Sequence, residues 1–128
     1  MFLSHSVRDA RYATALTKAL SRRGLKVWSF GTSVRAGDSW LRQVDNALRS
    51  VDLCVVLLSD ESVNSRSVNF EMGAMIGRGK KVVPVYLSPG ARRRAPAPIE
   101  AFQGVLAEHL TPVVAAEKVA RAIERAAA

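Results

Sequence analysis

What the sequence lacks narrows its chemistry early. A single cysteine, Cys54, excludes an internal disulfide and the paired thiols of a zinc site, and the two histidines, His5 and His109, lie far apart. There is no Walker loop and no GxGxxG fingerprint. Ser6 and Ser59 fall in no nucleophile-elbow pattern, so a hydrolase triad has no sequence support. A phosphoacceptor receiver domain would want an acidic pair after its first strand and an aspartate ending its third, where this chain has Ser4-His5-Ser6 and Ser59. No apolar run approaches the roughly 20 residues of a membrane helix. The opening Met1 to Ser6 lacks the basic region and long apolar stretch of a signal peptide. A cytoplasmic protein without membrane contact is therefore expected. Acidic residues are also few: 11 Asp and Glu against 19 Lys and Arg leave a net charge of +8. That excess favours anionic partners such as nucleotides, though most of it reads as a solvated face.

What remains fits one soluble domain, residues 1–128, with an ordinary 48% of hydrophobic residues, standing alone or as the effector part of a longer chain. The organising stretch is Val51 to Ser59, whose Val- and Leu-rich run reads as a strand buried on both faces. Cys54 lies in its middle, as a poorly reactive small hydrophobe. A helix carrying Glu71 in its first turns follows, ending near Gly77 or Gly79. Upstream, Met1 to His5 is a short strand, and Tyr12, Leu16 and Leu20 mark a helix that Gly24 stops. Leu25 to Phe30 alternates like a strand, and Gly31 to Asp38 is an exposed loop. Asp38 or Ser39 caps a second helix through about Arg49, with Leu41, Val44 and Leu48 as its stripe.

Downstream, Lys81 to Leu87 is another strand, in which Pro84 needs a place where a missing N–H does little harm, near an edge. Pro89 to Pro98 reads as a loop, Phe102 to Leu106 as a short last strand. Pro112 opens an Ala-rich helix with Val113, Ala116, Val119, Ala120 and Ile123 as its buried stripe. Alternation of strand and helix predicts a flavodoxin-like α/β sandwich, five parallel strands in the order 2-1-3-4-5 with helices on both faces. The switch point between the first and third strands gathers His5, Ser6, Ser59 and the loop after Phe30 around one crevice, with Glu71 beside it.

Six pieces in order carry a resemblance: Phe2-Leu-Ser-His-Ser6 with Asp9, Gly24 to Trp28, Ala36 to Trp40, Val55 to Ser59, Phe70-Glu-Met-Gly-Ala74 and Lys80 to Val85. Together they resemble a bacterial TIR (Toll/interleukin-1 receptor) domain of the NAD-cleaving effector type. The resemblance implies cleavage of the nicotinamide–ribose bond, giving nicotinamide and ADP-ribose or a cyclic isomer, in bacterial immune signalling such as antiviral defence. NAD is then the substrate, and no cofactor or metal is implied. The catalytic glutamate of such enzymes falls on Glu71. Residues 31–38 correspond to the loop that gates the pocket and contacts neighbouring subunits in an oligomer or filament; Gly31, Val34, Arg35, Gly37 and Asp38 are its self-association positions. A sensor domain or partner protein is a further implied contact.

The substrate chemistry is compatible with one carboxylate. Nicotinamide leaves NAD as a neutral molecule, so no general acid is needed, unlike most glycosidases. A carboxylate near the ribose stabilises the oxocarbenium-like charge. Of the supporting residues, Trp28 and Phe30 share a strand face and can stack on adenine or nicotinamide, or simply belong to the core. His5, Ser6 and Ser59 can meet phosphate or ribose, and Arg35 can meet pyrophosphate or a neighbouring subunit. Relatives often carry an aromatic four residues before the glutamate; here Ser67 stands there, with Trp28 or Trp40 as substitutes and Ser67 as a potential helix cap. The alternatives are a scaffold TIR domain without turnover and an enzyme like the nucleoside deoxyribosyltransferases. Arg92-Arg-Arg94, between prolines, reads as a solvated loop rather than a nucleic-acid interface.

Overall fold

The computed structural model describes residues 1–29, 49–95 and 102–127. Strands β1 (Phe2–Ser4), β2 (Trp28–Ser29), β3 (Leu53–Leu58), β4 (Lys81–Tyr86) and β5 (Val105–Leu106) form one sheet. All pairings are parallel, and the order is β2-β1-β3-β4-β5, as the alternation of elements predicts. The helices are α1 (Ala10–Arg22), α2 (Arg66–Gly77), α3 (Pro89–Arg94) and α4 (Pro112–Ala127), with 3-10 turns at Val7–Asp9 and Ser62–Asn64. The expected loop over 31–38 and the helix from Asp38 or Ser39 toward Arg49 lie outside the described residues.

The two-residue period of the strands sorts side chains onto two faces. Phe2, Cys54, Val56, Leu58, Val82 and Tyr86 face α2, meeting Val68, Met72 and Met75. Leu3, Val55, Leu57, Val83 and Val85 face α1 and α4. Burial on both faces explains why β3 is a continuous apolar run rather than an alternating one. No helix among the described residues is long and apolar enough to cross a membrane.

Glycines close α1 and α2 in the same way. Gly24 takes φ +83° and Gly79 φ +69°. Each supports a Schellman closure: Leu25 N–H reaches the Leu20 carbonyl at 3.2 Å, and Lys80 N–H reaches that of Met75 at 3.0 Å. The second helix therefore ends at Gly77, with Gly79 as its left-handed stop.

Three expectations need correction. Pro84 is not on an edge strand, because β4 lies between β3 and β5. Its lack of an N–H is harmless for another reason. The Lys81 and Leu87 N–H groups point to β3, so the nitrogen of Pro84 faces β5, which pairs only from Val85 onward. Pro89 to Arg94 is helix α3 rather than loop: Pro89 opens it, and the Ser88 hydroxyl caps it by accepting the Ala91 N–H at 3.1 Å. In α4 the buried stripe runs through Ala115, Ala116 and Val119, while Val113 is 61% exposed. Stepping back from Val119 by one turn reaches 115 and 116, which leaves 113 out of phase.

Candidate functional site

Glu71 is the sixth residue of α2, so it sits in the second turn and is not a first-turn carboxylate favoured by the helix dipole. Its neighbours at helical spacing, Val68 and Met75, are fully buried, and Glu71 itself is only 3% exposed. The turn of the helix thus carries a carboxyl group into the apolar layer over β1 and β3. Loss of water pushes its pKa up from 4.5 to about 7, opposed by the nearby Ser4 hydroxyl, which favours the charged form. No cation pairs with it among the described residues. Cys54 of β3 also feels this carboxyl, and burial holds its thiol far above the usual range, as expected for an inert cysteine.

Ser4 ends β1 on the face that carries Phe2, directly beside Val56 of β3. It is 1% exposed, and its Oγ makes no hydrogen bond. A buried hydroxyl left unpaired typically costs on the order of 1–3 kcal/mol. The signal for it was the strand alternation itself, which puts positions 2 and 4 on one face, but a lone serine there does not announce its partner.

At the switch point, the structure joins two of the sequence-derived candidates through a third group. Ser6 and Ser59 both donate to Asp9 Oδ2, at 3.0 and 2.7 Å. Ser59 Oγ also accepts the Ser62 N–H at 3.1 Å, while the buried Ser62 hydroxyl accepts the Ser59 N–H at 2.7 Å and donates to the Leu57 carbonyl at 3.0 Å. Asp9 thereby fastens the segment after β1 to the end of β3, and Ser62 braces the end of β3 itself. Asp9 belongs to the opening motif, but neither its sequence setting nor that of Ser62 marks a role at the crevice. His5, half-buried, donates Nδ1–H to the Ser6 carbonyl at 2.8 Å.

Trp28 packs on Phe2, ring centroids 4.9 Å apart and planes tilted by 31°, on the α2 side of the sheet. Phe30, Gly31, Val34, Arg35, Gly37, Asp38 and Trp40 lie outside the described residues. The cap of α2 is Ser65, whose hydroxyl accepts the Val68 N–H, so Ser67 is not the cap and lies within the first turn. Two cavities of about 430 and 520 Å³ border Tyr86 at the β4–β5 end, and Glu71 lines neither.

A family model for the TIR domain matches residues 1–126. The chain belongs to the TIR domain family. This TIR domain is 28% identical over 91 residues to the NAD(+) hydrolase TcpC of Escherichia coli O6:H1, a match covering 66% of this chain and 30% of that protein. It is 25% identical over 91 residues to the 2′ cyclic ADP-D-ribose synthase AbTIR of Acinetobacter baumannii, covering 67% and 34%. The aligned segment therefore spans about a third of each of these relatives, at 30% and 34% of their lengths. Among solved structures, the TIR domain of the Toll-related receptor TRR-2 from Hydra magnipapillata superposes with a TM-score of 0.69 at 14% identity, over 80% of this chain and 81% of that one. The RPS4 and RRS1 TIR heterodimer gives 0.66 at 13% identity over 98% and 96%. The TIR domains of the activated Roq1 resistosome give 0.61 at 22% over 96% and 78%. At these identities the structural likeness establishes the fold.

Proposed function

We propose that this TIR domain is an NAD+ glycohydrolase that releases nicotinamide and leaves ADP-ribose or a cyclic isomer, with Glu71 as the catalytic residue. One observation carries the proposal: a buried carboxyl on the helix after the third strand that has no cationic partner among the described residues. Such a group is expensive to ionise on its own and gains most from an arriving cation. The nicotinamide of NAD+ is one, a pyridinium joined to the ribose, and as that bond breaks its electron pair goes to the leaving nicotinamide and the positive charge moves onto the ribose. The ionised Glu71 then stabilises that charge most strongly in the transition state, which is the condition for acceleration. Water or a nucleophile of the substrate itself takes the vacated anomeric carbon, giving the linear or the cyclic product.

His5, Ser6, Trp28, Phe30, Arg35 and Ser59 are the proposed NAD contacts. In this arrangement the Ser6 and Ser59 hydroxyls donate to Asp9, leaving lone pairs rather than protons to offer a ribose hydroxyl. Residues 31–38 are the proposed self-association segment, so that turnover rises steeply with protein concentration. The similarity to one bacterial protein named an NAD(+) hydrolase and another named a 2′ cyclic ADP-D-ribose synthase supports this reading. Chromatography of NAD incubated with concentrated protein tests it: nicotinamide appears with the wild type and not with a folded Glu71→Ala variant. Undiminished release by that variant overturns the role of Glu71.

A scaffold without turnover is the second reading, favoured by the fold's likeness to TIR domains captured as a heterodimer and in a resistosome. It requires self-association with no loss of NAD in the clustered state.

A further inference from the structure

The Ser4 hydroxyl is the one buried side-chain polar atom among the described residues that lacks a hydrogen bond. It stands on the sheet face that carries Phe2 and is covered by α2, close enough to the Glu71 carboxyl to favour its charged form although the two groups do not meet hydrogen-bond geometry in this arrangement. A serine hydroxyl has one proton to give and no acceptor has taken this one. A carboxylate accepts only, whereas a neutral carboxyl also donates, so the two groups suit each other best when Glu71 is charged. We propose that Ser4 is a positioning residue for Glu71: its hydroxyl donates to the carboxylate once a cationic substrate has drawn out the charge, holding Glu71 in the charged form that serves the ribose. The inference rests on the NAD-cleaving reading for its purpose, but the contact itself does not depend on turnover.

Other titratable groups on the elements packed against α2 are the Cys54 thiol of β3, Met1 and His5 at the two ends of β1, Lys81 and Tyr86 at the ends of β4, and Glu61 before the Ser62 turn. Cys54 is the one that couples to Glu71, and its burial keeps it neutral. Glu61 pairs with Arg8 at 3.6 Å. His5 is turned onto the Ser6 carbonyl. The Ser4 hydroxyl is thus the group that favours the charged carboxyl from β1.

The test uses the full chain with ¹³C-labelled glutamate, Glu71 assigned by its loss in Glu71→Gln. In Ser4→Ala the Glu71 titration moves upward by about one pH unit, the tenfold effect expected for loss of a hydrogen bond to a charged group. Ser4→Thr, which keeps the hydroxyl, leaves it near the wild-type value. Nicotinamide release by Ser4→Ala falls about tenfold below pH 6.5 and recovers toward wild type near pH 9, with kcat affected more than KM. A Glu71 titration unmoved in Ser4→Ala overturns the inference, as does a loss of activity uniform across pH. If the titration moves but wild-type protein releases no nicotinamide, the Ser4 contact stands and the enzymatic reading fails.

Discussion

The carboxylate of Asp9, at the start of the first crossover, accepts the hydroxyl of Ser59, at the end of β3, at 2.7 Å across fifty positions of sequence. The same oxygen takes the Ser6 hydroxyl, so one charged atom ties the two central strands at the edge where open α/β sheets bind ligands. Asp9→Ala removes the acceptor from both hydroxyls. The expected loss is about 2 kcal/mol, read as a lower urea midpoint with an unchanged slope. A midpoint equal to wild type would show that water replaces the carboxylate without loss.

Glu71 makes stability depend on pH in an unusual direction. Its carboxyl in the folded protein titrates near 7 rather than 4.5, so between those values the folded state binds more protons than the unfolded one. Stability is therefore greatest below pH 4.5 as far as this group is concerned, and falls as pH rises through 7. The whole swing is on the order of 3 kcal/mol. Glu71→Gln cannot titrate; urea midpoints at pH 5 and pH 8.5 should converge in this variant and differ in the wild type.

The same raised value sets an activity profile. Under the proposed mechanism the ionised carboxylate is the working form, so kcat/KM rises with pH along a single limb with a midpoint close to 7 in the free enzyme. Replacing Glu71 by Gln abolishes that limb and lowers turnover by 10²–10³-fold, about 3–4 kcal/mol of barrier. Initial rates of nicotinamide release from pH 5 to 9 measure both.

Gly104 allows β5 to lie close to β4. A Cβ there would sit 2.6 Å from the Tyr86 ring and 2.9 Å from the Pro84 carbonyl oxygen, one of them backbone that does not yield easily. Gly104→Ala should destabilise by about 1–3 kcal/mol, the usual range for overpacking. Amide exchange at Ala107, whose N–H donates to the Tyr86 carbonyl at 2.8 Å, should accelerate.

Much of this architecture was legible because it follows from short-range rules. The doubly buried run Leu53 to Leu58, the glycine stops at 24 and 79, and the order of strands and helices all follow from local periodicity and chirality. Glu71 was found from its place after the third strand and from the family pattern. The misreadings share another cause, which is that the deciding partner lies elsewhere. Helix α3 looked like a proline-bounded loop, yet Ser88 caps it, and Arg94 reaches back to Asp60 at 2.8 Å across 34 positions. Pro84 reads as an edge residue because composition does not say which neighbour its nitrogen faces. Ser4 and Asp9 acquire meaning only when β1, β3 and α2 are brought together.

The chain's single thiol gives it a built-in clock for its own breathing. Cys54 is fully buried in the central strand, beneath the helix that carries Glu71. A thiol reagent in solution can reach it only in molecules whose α2 layer has lifted from the sheet, so labelling rates read the opening of this layer without any introduced probe. A ligand seated against Glu71 would slow that labelling in proportion to its occupancy, which turns one inert cysteine into a binding assay independent of turnover.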